Sequence, residues 1–223
     1  MNILCAILLI INIIMGQTGY EVAKMIEDRA EPKDQSSMTT MVLTNSKGRT
    51  RTSTIYSKML NGGEKQILWF MAPADDKGVA FLKIENEGKE DEMRMWLPAF
   101  KKIRRITAKK KGDSFMGSDL SFEDMSNRDL EENEYKRLED DIVDSIACYV
   151  LEVVPKKEAK SSYSKHISWV NKETLILIKE ESFDKKEKLK KVKSFQSKRV
   201  GDYNILSSAY VKDVQKEHTT QVV

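Results

Sequence analysis

Cysteine, histidine, proline and glycine are all scarce in this chain of 223 residues, which holds two Cys, two His, four Pro and ten Gly. Two cysteines and two histidines are too few for a disulfide scaffold, a Cys/His zinc module or a haem site. So little proline and glycine leaves no room for a low-complexity linker or a collagen repeat. An excess of one charge sign is also missing: 38 Lys+Arg face 35 Asp+Glu, a formal net charge of +3, so nothing in the balance demands nucleic acid. No apolar run is long enough for a multi-pass membrane protein. The sequence contains no Gly-x-x-x-x-Gly-Lys, Gly-x-Ser-x-Gly, His-Glu-x-x-His or Gly-x-Gly-x-x-Gly. His166 and His218 stand in strand-like text without a metal-ligand partner, and Glu139-Asp140-Asp141 lies beside Lys136 and Arg137 as a solvated face would. The reading is therefore of a protein that is not an enzyme and holds no metal or cofactor.

Charge is absent from one place in particular. Met1 to Gly19 contains no Asp, Glu, Lys or Arg, and Ile3 to Met15 is apolar apart from Asn12. Thirteen residues are too few to span a bilayer but match the core of a secretory signal, with Gly16 and Gly19 as small residues for cleavage. Residues 1–19 are expected to be a signal peptide whose basic start is incomplete, and the mature chain to be periplasmic. Cys5 lacks the approach of a lipidation site, and Cys148, alone once the leader is gone, reads as a small buried hydrophobe.

After the leader the pattern predicts one helix and then many strands. Val22, Met25, Ile26 and Arg29 recur at helical spacing between Thr18 and Pro32. From Ser36 the period becomes two, with turn signals at Asn45–Gly48, Asn61–Gly63, Asp75–Gly78 and Asn86–Gly88. Strands are expected near 37–45, 49–60, 64–72, 78–86, 89–97, 101–108, 134–140, 146–155, 163–171, 174–182, 188–198 and 203–215. The fold class is mainly β (α+β): a curled antiparallel sheet of about eleven strands, a half-barrel covered by a few short helices, because strand twist keeps so wide a sheet from lying flat. Residues 20–223 are expected to form one such domain, cut short at its C-terminus, where Glu217 to Val223 still reads as strand. Residues 20–30 and 112–132 are the segments available to cover the second apolar face.

The most distinctive text is Met93-Arg-Met-Trp-Leu-Pro98, then Lys101-Lys-Ile-Arg-Arg-Ile106, then Phe115-Met-Gly-Ser-Asp-Leu-Ser-Phe-Glu-Asp-Met125. Together with Pro73-Ala-Asp-Asp-Lys-Gly-Val-Ala-Phe-Leu82 this resembles the outer-membrane lipoprotein-sorting protein-like family, relatives of the LolA and LolB carriers, over roughly residues 20–215. The resemblance implies a half-barrel enclosing an apolar cavity for acyl chains, in an exported, non-enzymatic carrier or partner of lipid exporters.

Methionine supports a cavity independently: nine remain after the leader, and an unbranched, adaptable side chain suits an exchangeable apolar ligand better than interlocking β-branched residues do. The expected lining is Met41, Ile67, Trp69, Met71, Phe81, Met93, Met95, Leu97, Met116, Tyr149, Leu151 and Trp169; Trp96 shares a face with Arg94 and is placed at the rim or outside. Lys101 to Lys111 holds seven cations in eleven residues, read as a solvated hairpin edge or a contact for an anionic membrane. Arg104 and Arg105 point to opposite faces, so one of them is expected to meet Asp119, Glu123 or Asp124 and tie the cover to the sheet as a gate. Ser121 and Asp124 have capping-box spacing. The function expected is a periplasmic, monomeric carrier that takes lipoprotein acyl chains or another lipid from an inner-membrane transporter to an outer-membrane acceptor. The alternative is an accessory module bound to an inner-membrane lipid exporter of the RND or MMPL type.

Overall fold

The computed structural model describes residues 16–86 and 89–223; the apolar core of the expected leader lies outside them. Helix α1 (Gly19–Glu27) starts where the sequence marks it. Thr18 is its N-cap: Glu21 donates its N–H to the Thr18 hydroxyl at 3.2 Å while the Glu21 carboxylate accepts the Thr18 N–H at 2.7 Å. Val22, Ala23 and Ile26 pack on Leu130, Leu151 and Val153. The helix enters so close to its neighbour that a Cβ on Gly19 would lie 2.7 Å from the Arg137 nitrogen and the Tyr135 oxygen.

Fourteen strands follow, rather than about eleven: β1 (Asp34–Thr44), β2 (Thr50–Leu60), β3 (Lys65–Ala72), β4 (Ala80–Ile84), β5 (Glu92–Leu97), β6 (Lys102–Ile106), β7 (Asn133–Arg137), β8 (Asp141–Val143), β9 (Ile146–Pro155), β10 (Lys165–Asn171), β11 (Leu177–Phe183), β12 (Leu189–Val200), β13 (Tyr203–Asp213) and β14 (His218–Val222). The additional strands have clear physical causes. β8 is three residues long, too short to show an alternation, and turns onto β9 through Asp144 and Ser145, both at positive φ. The turn between β13 and β14 contains neither Gly nor Pro; the Asp213 carboxylate makes it by accepting the Gln215 and Lys216 N–H groups, each at 3.1 Å. Of the two expected covering segments, the first is helix α1; among the described residues, the second holds only three-residue 3-10 turns such as Glu123–Met125 and Leu130–Glu132.

All strands join one antiparallel sheet in the order β6-β5-β4-β3-β2-β1-β14-β13-β12-β11-β10-β9-β7, with β8 on β9. β14 therefore lies between β1 and β13, pairing Leu43 with Thr220 on one side and Val211 with Thr220 on the other. The sheet curls around its cover. Phe122 packs on Phe81 of β4 while Asp124 bonds Lys191 of β12, six strand spacings or about 29 Å away in a flat sheet. Two residues of chain cannot bridge that distance. Across the opening, Lys160 Nζ sits 2.8 Å from Glu90 Oε1, joining the β9–β10 connection to the β4–β5 connection.

Candidate functional site

The register sorts side chains onto two faces. Leu68, Phe81 and Met95 stand in one inner row, and Met93 is paired with Ile106 in the next. With Met41, Leu43, Ile55 and Phe70 they form the apolar half of the inner face, each buried. Residues 107–132 cover it with little regular structure and insert two aromatic wedges. The Phe115 ring lies 5.2 Å from Phe81 and 6.0 Å from Phe70, and Phe122 lies 5.7 Å from both Phe81 and Phe115. Burial of each ring stabilises the closed arrangement by about 2–3 kcal/mol.

The other half of the inner face is polar, and there the cover is held by charge. Asp124 accepts from Lys191 Nζ at 2.7 Å and from Lys193 Nζ, while the Tyr163 hydroxyl donates to it at 2.9 Å and accepts from Lys191 at 2.6 Å. Lys193 continues to Glu180 at 3.0 Å, and Glu180 takes a two-pronged contact from Arg128, at 2.7 and 2.9 Å. Ser168 and Ser182 complete the Glu180 carboxylate, and His166 Nδ1 lies 2.9 Å from the Ser182 hydroxyl. Burial would push the Asp124 carboxyl up, but the two ammonium groups outweigh it and hold it far below the usual carboxylate range. Glu180 is held well below that range in the same way, its burial outweighed by Arg128 and Lys193. Burial, with the Arg128 charge, keeps His166 below the ordinary imidazole value, and burial keeps Lys191 below the ordinary amine value. Two carboxylates and three cations thus form one connected network, with Lys193 shared between Asp124 and Glu180, and what this arrangement does is fasten the cover to β11 and β12.

The predicted lining residues divide. Met41, Phe81, Met93 and Met95 are buried on the inner face, with Leu97 and Met116 packed at its margin. Tyr149 and Leu151 are inner-face residues too, but α1 covers them. Ile67, Trp69 and Met71 are on the opposite, outer face: Ile67 pairs with Lys58 and Trp69 with Tyr56, and Met71 is 45% exposed. Trp169 is likewise outward, its indole N–H donating to Asp141 at 2.9 Å and Lys179 standing over its ring. Both faces of β3 are apolar, so alternation could not tell which was covered. Trp96 is outside, as its alternation with Met93 and Met95 predicted.

The gate acids are where expected but their partners are not. Arg104 and Arg105 are exposed on the edge strand β6 and bond none of them. Asp124 pairs with Lys191 and Lys193. Asp119 bonds the Thr220 hydroxyl at 2.7 Å and lies 3.3 Å from His218, and Glu123 binds Ser161 and the Ser162 N–H. The Ser121–Asp124 capping box forms, with the Ser121 N–H donating at 2.8 Å and the Asp124 N–H returning at 3.2 Å. Phe115, Phe122, Arg128, Tyr163, Glu180, Lys191 and Lys193 were missed. Lys191 and Lys193 sit in a lysine-rich strand that gives no sign of burial, and only the apolar Phe115 and Phe122 within an irregular segment offered a signal.

An open antiparallel half-barrel whose inner face is closed by an irregular segment and one helix is a LolA-like fold. A LolA superfamily protein from Nitrosomonas europaea superposes with a TM-score of 0.72 over 93% of this chain at 15% identity, covering 91% of that chain. Two nearer relatives define the family. An outer membrane lipoprotein-sorting protein domain from Vibrio parahaemolyticus is 28% identical, with a TM-score of 0.86 over 92% of this chain and 88% of its own. A DUF1329 family protein from Desulfovibrio piger is 30% identical, with a TM-score of 0.84 over the same shares. A family model described only as an uncharacterized protein matches residues 62–223. The chain belongs to this outer membrane lipoprotein-sorting protein-like family. No match occurs among the curated proteins.

Proposed function

We propose that this chain is a periplasmic carrier that takes lipoprotein acyl chains, or another lipid, between the inner face of the sheet and the covering segment, and passes them towards the outer membrane. One observation carries the reading: the apolar inner face of β1 to β6 is closed by residues 107–132, a segment with almost no regular structure whose Phe115 and Phe122 occupy the space an acyl chain would fill. A folded core fixed for stability alone is normally closed by a helix or a second sheet. Here the closure is detachable, two rings and a set of ion pairs. Cargo displaces the rings, and the methionines beneath them adapt to its shape. Transfer is driven by a membrane donor or by an acceptor of higher affinity, since only a difference in affinity can move the cargo.

The test is native mass spectrometry of delipidated protein titrated with a synthetic triacylated lipopeptide. One lipopeptide per chain, bound saturably and reduced at least tenfold in Phe81→Asp but not in Trp69→Ala, is expected, with circular dichroism confirming that both variants fold. A protein that stays free of lipid at every concentration would sink the carrier reading. It would favour the accessory module bound to a lipid exporter, for which the exposed edge strand β6 supplies unpaired backbone groups.

A further inference from the structure

The outer face of β2 to β6 sets aromatic and aliphatic side chains beside cations. The register places Tyr56, Trp69 and Ala80 in a row that ends in Trp96 and Ile103, beside a second row of Lys58, Ile67, Leu82, Arg94 and Arg105. Tyr56 and Trp69 stack at 5.7 Å. Two shallow hollows of about 400 and 510 Å³ adjoin on this face and share Lys58. At its rim the β5–β6 hairpin projects Phe100, 70% exposed, and Ile103, 64% exposed. Lys101 in the turn and Arg105 on the same face of β6 as Ile103 flank them, Lys102 and Arg104 alternate to the other side of this edge strand, and none of the four makes an ion pair among the described residues. The nearby acids are already neutralised, Glu90 by Lys160, Asp91 by Lys111 and Glu92 by Arg94.

From this we infer that the outer face of β2 to β6, led by the β5–β6 hairpin, docks on an anionic lipid bilayer. The inference is independent of the carrier reading. Trp and Tyr prefer the headgroup level, exposed Phe and Ile reach the acyl boundary, and unpaired Lys and Arg beside them are drawn to anionic headgroups. The row crosses five strands, about 19 Å, which is wider than a single small ligand and open rather than enclosing. Charge complementarity selects the occupant: an excess of unpaired cations around exposed aromatic and aliphatic tips fits a negative, fluid apolar surface. The whole chain carries only +3, so the attraction is local and orients the molecule.

The experiment is sedimentation with vesicles of phosphatidylglycerol and phosphatidylethanolamine, against vesicles of phosphatidylcholine alone, at low and high salt. Binding to the anionic vesicles only, weakened by salt, is expected. Brominated lipid should quench the tryptophans of this face, and the quenching should fall in Trp96→Phe and be lost when Trp69→Phe is added. The double variant Lys101→Glu with Arg105→Glu should bind at least tenfold less, whereas Lys198→Glu with Lys212→Glu, two exposed lysines elsewhere on the sheet, should bind as the unaltered chain does. Because the hairpin residues are exposed, these variants should melt as the parent does. Equal binding to both vesicle types, no binding to either, or an unaffected hairpin variant would overturn the inference.

Discussion

At Asp124 a single carboxylate stands between two ammonium groups, and what it stabilises is visible in the charges left behind if it is neutralised. Asp124→Asn leaves two buried ammonium groups without their shared carboxylate: Lys193 keeps Glu180, and Lys191 keeps only the neutral Tyr163 hydroxyl. Breaking one member of a buried ionic set costs about 3–5 kcal/mol, which for a chain of this size lowers Tm by about 6–20 °C. The same cluster fixes the response to acid. Asp124 and Glu180 titrate well below their unfolded values, so their contribution is complete above the ordinary carboxylate range, near pH 4, and is lost as pH falls beneath it. His166 also titrates below its unfolded value: as pH drops past about 6.5 the unfolded chain gains a proton that the folded one refuses, and stability falls there too. Melting followed by circular dichroism from pH 8 to 3.5 should therefore show two declines, the first absent in His166→Gln. A flat profile down to pH 4.5 in the parent would contradict the assignment of His166 as a neutral, buried group.

Helix α1 illustrates how much an element owes to one position that looks dispensable. Its apolar stripe and the neighbourhood of its cap were read in the sequence; the reason for glycine at its first position was not, because the atoms that exclude a side chain belong to β7, more than a hundred residues on. Gly19→Ala forces the helix or the β7 backbone to move and should cost about 1–3 kcal/mol, more than the loss of about 1 kcal/mol expected from removing the cap in Thr18→Ala. Urea titration ranks the two variants; the reverse order would show that the helix end adjusts freely. The same contrast between near and distant causes runs through the strands. Alternation marked most of them, because a half-buried strand writes its burial into its own residues. Glu217 to Val223 was read as strand, but its place in the sheet was not, since its turn is made by the Asp213 side chain and its neighbours are β1 and β13. In the candidate site, the cover, its capping box and its three acids were legible locally. Their partners were not: Asp124 meets lysines 67 and 69 positions away, on a strand whose composition reads as solvated.

For the molecule as a whole, the arrangement divides labour between two faces of one sheet: the inner face is closed over by the chain's own segment, and the outer face is left open with cations and aromatic rings. Loading then requires the cover to leave while the sheet stays folded, because β1 to β6 must keep their curvature for the inner face to exist. The forces permit such a partial opening. The sheet is held by continuous ladders on both sides of every strand but its edges, whereas the cover is held by the Phe115 and Phe122 rings and by side-chain contacts of Asp119, Glu123, Asp124 and Arg128, which can separate together without breaking a ladder. Native-state hydrogen exchange should accordingly find the amides of residues 113–126 opening at a lower free energy than those of β2 and β3, in one cooperative step. Asp124→Asn should lower the opening energy of the segment by more than that of the sheet, and a bound lipopeptide should change protection in the segment while leaving β2 and β3 as they were. If the cover instead exchanged only with global unfolding, and Asp124→Asn lowered both regions equally, the closure would be a fixed part of the core, and cargo would have to be sought on the outer face.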